Sequence, residues 1–211
     1  MSLLQELLAP LPLIAILRGV RPAEVTAIGK ALVAAGFVAI EVPLNSPEPL
    51  ASIRLLTDAF GERALIGAGT VRDPADVARI AAAGGRLVVM PHGDAAVIRA
   101  AKQRGLLCVP GVATPTEAFA ALDAGADALK LFPAEALAPA VVKAWRAVLP
   151  KDAWLLPVGG IRPDSMAPYL AAGANGFGLG SALYKPGMTP AQIAATARAF
   201  ADAWASRGER V

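Results

Sequence analysis

A chain of 211 residues, 55% hydrophobic but only 5% aromatic, can bury one sizeable core and suits small-residue helices packed closely on a buried sheet. Its formal net charge of +3 comes from Lys and Arg scattered among acids, which leaves out a nucleic-acid-binding stripe. The single cysteine, Cys108, leaves out an internal disulfide and fits a cytoplasmic chain, and in an apolar run it reads as a small core residue.

Within the first eleven residues, Leu3, Leu4, Leu7 and Leu8 share one apolar face with no basic residue beside it. A helix of that kind is expected to cover the bottom of the fold rather than lie on a membrane. The basic n-region and cleavage site of a secretory leader are not seen, so the chain is not expected to be secreted. Short apolar runs then recur at 13–17, 38–42, 64–68, 87–90, 106–109, 128–132, 154–158 and 176–179, and the Ala-rich stretches between them are long enough for crossover helices.

Punctuation supports the division. Asp73-Pro74, Thr114-Pro115 and Thr189-Pro190 read as an N-cap followed by a first-turn proline, and Glu117 and Gln192 complete capping boxes in the last two. Gly36, Gly84, Gly125 and Gly173, each preceded by alanine, read as left-handed C-caps. The uncharged segment 165–184 holds Pro168, Asn175 and four glycines, so it reads as a helix end, a strand and a loop rather than a membrane span. Ile193, Ala197, Phe200 and Trp204 form a final stripe suited to core packing.

Eight strand–helix units in this length fit a (β/α)₈ TIM barrel over residues 1–211 as a single domain better than an open doubly wound sheet. No G-x-G-x-x-G or Walker-type loop follows a strand, which lowers the nucleotide-binding readings.

Lys130 interrupts what is otherwise a buried strand. Burial disfavours its charged form, and a neutral amine is a nucleophile toward carbonyl carbon. A lysine snorkelling to water is the alternative on that segment alone. Strand alternation sets Lys130 in phase with Ala128 and Phe132, Glu41 in phase with Ala39 and Pro43, and Arg18 in phase with Ile14 and Ile16. All three charges should point toward the barrel axis at the C-terminal rim, where barrel enzymes carry their chemistry. A structural Lys–Glu pair is the bland alternative; the sharper reading makes Glu41 a general acid/base at a carbon held by Lys130. Gly159-Gly160 follows the seventh strand and Gly178-Leu179-Gly180-Ser181 ends the eighth, where backbone N–H groups of the loops commonly bind phosphate. His92 is the only histidine and reads as a bystander near the mouth, so no metal site is expected.

Those residues resemble, over nearly the whole chain, the class I 2-keto-3-deoxy-6-phospho-sugar-acid aldolases. The resemblance is carried by the runs 12–19, 40–47 and 66–71, then Ala128-Leu129-Lys130-Leu131-Phe132-Pro133, Val158-Gly159-Gly160-Ile161 and Gly178-Leu179-Gly180-Ser181. Asn45-Ser46 stands where the gluconate-type branch carries an Arg-Thr pair, and with the run ending at Arg18 this favours the galactonate-type branch. The resemblance implies a cytoplasmic homotrimer of barrels with no cofactor and a phosphorylated keto-acid substrate. Lys130 would form the Schiff base and Glu41 would move protons. Thr70 and Arg18 would hold the pyruvyl carboxylate, with the phosphate as the alternative partner for Arg18. Pro91 and Phe132 would wall the pocket, and Gly159, Gly160, Gly180 and Ser181 would bind phosphate. The alternatives are gluconate-type or 4-hydroxy-2-oxoglutarate cleavage, a phosphate-binding barrel isomerase, and a non-catalytic metabolite-binding barrel.

Overall fold

The structure, a computed structural model, describes residues 2–206. Among these residues parallel strands alternate with helices. Strands β1 (Leu13–Ile16), β2 (Ala39–Pro43), β3 (Leu65–Gly69), β4 (Leu87–Val89) and β5 (Leu107–Val109) join β9 (Phe177–Leu179) in a six-stranded sheet of order β5-β4-β3-β2-β1-β9. The short β6 (Gly111–Val112), β7 (Leu129–Leu131) and β8 (Leu155–Pro157) form a second sheet. Each apolar run read from the sequence thus carries a strand, within an α/β fold whose parallel sheet is curled.

The strands do not form one continuous ladder, and proline is the reason at both breaks. Pro110 separates β5 from β6; its carbonyl accepts from Lys130 N at 2.9 Å, but the nitrogen on that same edge has no hydrogen to return. On the far side, Leu155 O accepts from Asn175 N at 2.9 Å, and the Leu155 N–H donates to Asn175 Oδ1, also at 2.9 Å. Two residues on, Pro157 faces the same edge without a donor, and only a single parallel bridge, Val158 to Gly178, follows. Arg146 donates to Asn175 Oδ1 and, at 2.8 Å, to Gly173 O, so side chains complete what the backbone leaves open.

Helix starts follow the punctuation. Helices α2 (Pro22–Ala34), α3 (Pro49–Phe60), α4 (Pro74–Ala82), α6 (Pro115–Asp123), α7 (Pro139–Arg146) and α9 (Pro190–Ala205) all begin on proline, whose missing N–H costs nothing there. The capping boxes of Thr114 with Glu117 and Thr189 with Gln192 form as expected, and Gly36, Gly84, Gly125 and Gly173 end their helices at positive φ. The remaining α-helices are α1 (Leu3–Leu8), α5 (Ala95–Gln103) and α8 (Met166–Ala171), and short 3-10 turns span Ala134–Ala136 and Pro163–Ser165. No helix among the described residues is long and apolar enough to cross a membrane.

Alternation sorts the strand side chains into two apolar clusters. Leu13, Ala15, Leu17, Ile40, Val42, Leu129 and Leu131 pack with the helices, including Ile193, Ala197, Phe200 and Trp204 of α9. Ile14, Ala39, Leu65, Leu87, Leu107, Ala128 and Leu156 form a separate inner cluster, joined by Leu4 and Leu8 of α1. Glu41 and Lys130 lie two residues beyond Ala39 and Ala128, on the inner phase toward the strands' C-terminal ends.

Candidate active site

Among the described residues Glu41 and Lys130 are the only charged side chains that are buried, with 1% and 5% of their surfaces exposed. Neither belongs to any of the four ion pairs among those residues. The Glu41 Oε2 atom is buried and makes no hydrogen bond among the described residues. Taking a carboxylate out of water costs more than the Lys130 and Arg18 charges return, so its pKa is pushed up to about 7. Burial pushes the Lys130 amine below its ordinary value; Glu41 opposes that shift and Arg18 adds to it. Lys130 Nζ stands 4.5 Å from the centre of the Phe132 ring. A buried amine biased toward its neutral form beside a carboxyl group that titrates near neutrality is an arrangement for covalent chemistry with proton transfer.

Arg18 follows β1 at the exposed rim. Its Nη1 donates to Asn45 Oδ1 at 2.8 Å and its Nη2 to Thr70 Oγ1 at 3.4 Å. Thr70 has φ +57°, a costly conformation for a β-branched residue, about 1–3 kcal/mol. Strain of that size is retained where something over-determines it, and the bond to Arg18 is one contributor.

A cavity of about 470 Å³ opens at this rim. Seven of the residues singled out in the sequence line it: Lys130, Arg18, Phe132, Gly159, Gly160, Gly180 and Ser181. Gly159 and Gly160 lie at φ +114° and +63°, so glycine is required to turn the chain there. Nothing lies within 4 Å of where a Cβ on Gly180 would stand, so the backbone there is open to a ligand.

Glu41, Thr70 and Pro91 are not part of that lining. Glu41 is enclosed near Lys130, whose charge it feels. Thr70 and Asn45 instead line a neighbouring cavity of about 860 Å³, so Arg18, bonded to both, stands between the two spaces. Pro91 presents its backbone to Gly111. His92 is exposed, and no trio of potential metal-ligating side chains gathers among the described residues. Cys108 is buried, with its thiol pushed up to about 12 chiefly by burial, and is chemically quiet.

Sequence reasoning missed several neighbours. Val158, Tyr184 and Ile16 line the cavity as apolar wall, while the exposed Glu135 and Lys185 add an acid and a base. The Glu135 carboxylate lies directly against Gly159, in the space a side chain there would occupy. A basic residue four positions after Ser181 was the one available signal for Lys185.

Comparison with known proteins names the class that this fold and site define. The chain belongs to the KDPG and KHG aldolase family, which it matches over residues 4–196; it is an aldolase, a carbon–carbon lyase. It is 49% identical over 194 residues to the 2-dehydro-3-deoxy-6-phosphogalactonate aldolase of Escherichia coli (strain K12), spanning 92% of this chain and 95% of that protein. It is 51% identical over 182 residues, 86% of each chain, to the probable 2-dehydro-3-deoxy-6-phosphogalactonate aldolase of Rhizobium meliloti (strain 1021). The solved native KDPGal structure superposes with a TM-score of 0.93 at 48% identity, covering 94% of this chain and 97% of that one.

Proposed function

We propose that this protein is a class I aldolase that cleaves 2-dehydro-3-deoxy-6-phosphogalactonate to pyruvate and D-glyceraldehyde 3-phosphate. The observation that carries the reading is Lys130: an amine almost wholly enclosed, in no ion pair among the described residues, and biased by burial toward its nucleophilic form. Both highly identical relatives described above bear the galactonate name, which supports that substrate over the gluconate epimer.

In this mechanism Lys130 Nζ attacks the C2 ketone to give a carbinolamine, and Glu41 in its acid form supplies the proton with which water departs. The resulting protonated Schiff base accepts the electron pair of the C3–C4 bond as that bond breaks, while the Glu41 carboxylate takes the C4 hydroxyl proton. Glyceraldehyde 3-phosphate leaves. The enamine is protonated at C3, and water releases pyruvate and the free lysine. Arg18 holds the pyruvyl carboxylate with Thr70 behind it; Phe132 and, beyond the cavity lining, Pro91 shape the enclosure. The amides of Gly159, Gly160 and Gly180 and the Ser181 hydroxyl receive the phosphate. No cofactor takes part in these steps.

The proposal extends to architecture. The two sheets, adjoining at Pro110 and at the Val158–Gly178 bridge, are read as one closed (β/α)₈ barrel comprising a single domain, with α1 covering its lower end through Leu4 and Leu8. A cytoplasmic homotrimer completes the reading, on family likeness. The experiment that tests the function is turnover on the two C4-epimeric 6-phosphates. We expect kcat/KM for the galactonate epimer to exceed that for the gluconate epimer at least tenfold; a preference for gluconate would overturn the substrate assignment.

A further inference from the structure

Two hydrogen bonds tie the turn after β1 to the turn after β2. Arg18 Nη1 donates to Asn45 Oδ1 at 2.8 Å, and the Gly19 N–H donates to Ser46 Oγ at 2.9 Å. Ser46 is buried, with 7% of its surface exposed, and Gly19 has φ +84°, so the second bond fixes a turn that few residues other than glycine could make. Arg18 itself is exposed. A long cationic side chain in water samples many rotamers, and ordering it when substrate arrives would subtract from binding.

The bond to Asn45 removes much of that freedom beforehand. It uses one of the guanidinium's five N–H donors, and Thr70 uses a second. The remaining donors suffice for a two-point grip on a carboxylate. Asn45 Oδ1 is an acceptor already engaged by the guanidinium, so this oxygen acts on an anion only through Arg18.

We propose that Asn45 and Ser46 are positioning residues: Asn45 aims the Arg18 guanidinium at the substrate's carboxylate, and Ser46 locks the turn that carries it. This inference rests on the aldolase reading with Arg18 as the carboxylate ligand. The same fixed charge disfavours protonation of Lys130 and favours the ionised form of Glu41, so its placement reaches the chemistry as well as the binding.

The test is a double-mutant cycle on the full-length protein with the galactonate-type 6-phosphate as substrate. Asn45 is exposed, so Asn45→Leu leaves the core untouched. We expect Asn45→Leu to raise KM about tenfold with kcat within about threefold of wild type, and Arg18→Ala to raise KM about a hundredfold. In the Arg18→Ala background, Asn45→Leu should have no further effect, and Ser46→Ala should likewise act only while Arg18 is present. The midpoint of pyruvate-dependent borohydride trapping should move to higher pH in Asn45→Leu, because a wandering guanidinium no longer acts on the Lys130 amine. Independent, multiplying effects of Arg18→Ala and Asn45→Leu, or an unchanged KM in Asn45→Leu, would overturn the positioning role while trapping on Lys130 persists. Loss of that trapping in the wild-type protein would overturn the underlying aldolase mechanism instead.

Discussion

The carboxylate of Glu41 fills the space that a side chain on Gly69 would need: a Cβ there would collide with both oxygens and with Cδ. The two residues lie on adjacent parallel strands, where Glu41 pairs in register with Gly67 and Pro43 with Gly69. The missing side chain on β3 therefore makes room for the acid on β2. Gly69→Ala should displace the carboxylate and lower kcat about a hundredfold, close to the loss in Glu41→Gln. Steady-state rates on the 6-phosphate decide it; wild-type turnover in Gly69→Ala would mean that the location of Glu41 is immaterial.

The elevated pKa of Glu41 makes a prediction about rate. With the carboxyl group titrating at about 7, the base form needed for bond cleavage accumulates as pH rises through that value. The single-turnover cleavage rate should climb through about pH 7 in wild type and lose that inflection in Glu41→Gln. An inflection that survives the substitution would assign it to another group.

The same shift predicts stability, with a definite sign. Folding raises the Glu41 pKa from 4.5 to about 7, so the folded state holds its proton more tightly than the unfolded chain does. Stability therefore falls as pH rises from 4.5 toward 7, by at most about 3 kcal/mol. The stability of Glu41→Gln relative to wild type should accordingly grow between pH 4.5 and pH 8 in urea unfolding. A difference that stays constant over that range would contradict the burial argument.

The glycines divide into two kinds. At Gly180 an added methyl group meets nothing, so Gly180→Ala should melt like wild type yet raise KM for the phosphorylated substrate about tenfold by intruding on the proposed phosphate site. At Gly159, φ +114° and the Glu135 carboxylate both oppose a side chain, so Gly159→Ala should also lose about 1–3 kcal/mol of stability. Melting curves together with KM separate the two, and equal KM values for Gly180→Ala and wild type would remove the phosphate assignment at that loop.

Much of this was legible from period and punctuation. The inner phase of Glu41 and Lys130 came from alternation with Ala39 and Ala128, and the cap residues marked helix ends because their chemistry is local. What was not legible depends on partners distant in sequence. Pro157 read as the interior of an ordinary strand, although a proline there removes a ladder donor, and the Asn175 side chain that instead accepts from the Leu155 N–H lies 20 residues beyond Leu155. Thr70 was legible as a site candidate, whereas its left-handed backbone and its place in the neighbouring cavity were not. Glu135 stands in a single 3-10 turn, Ala134–Ala136, and Lys185 on a loop, neither long enough to show a period, and only folding brings both beside the glycine pair.

The most direct test of the central claim is borohydride reduction in the presence of pyruvate, followed by peptide mass analysis. The mechanism predicts a single reduced pyruvyl adduct on the peptide bearing Lys130, formed in wild type and lost in Lys130→Ala together with activity. Turnover of the keto acid with no adduct at Lys130, or an active Lys130→Ala protein, would contradict it.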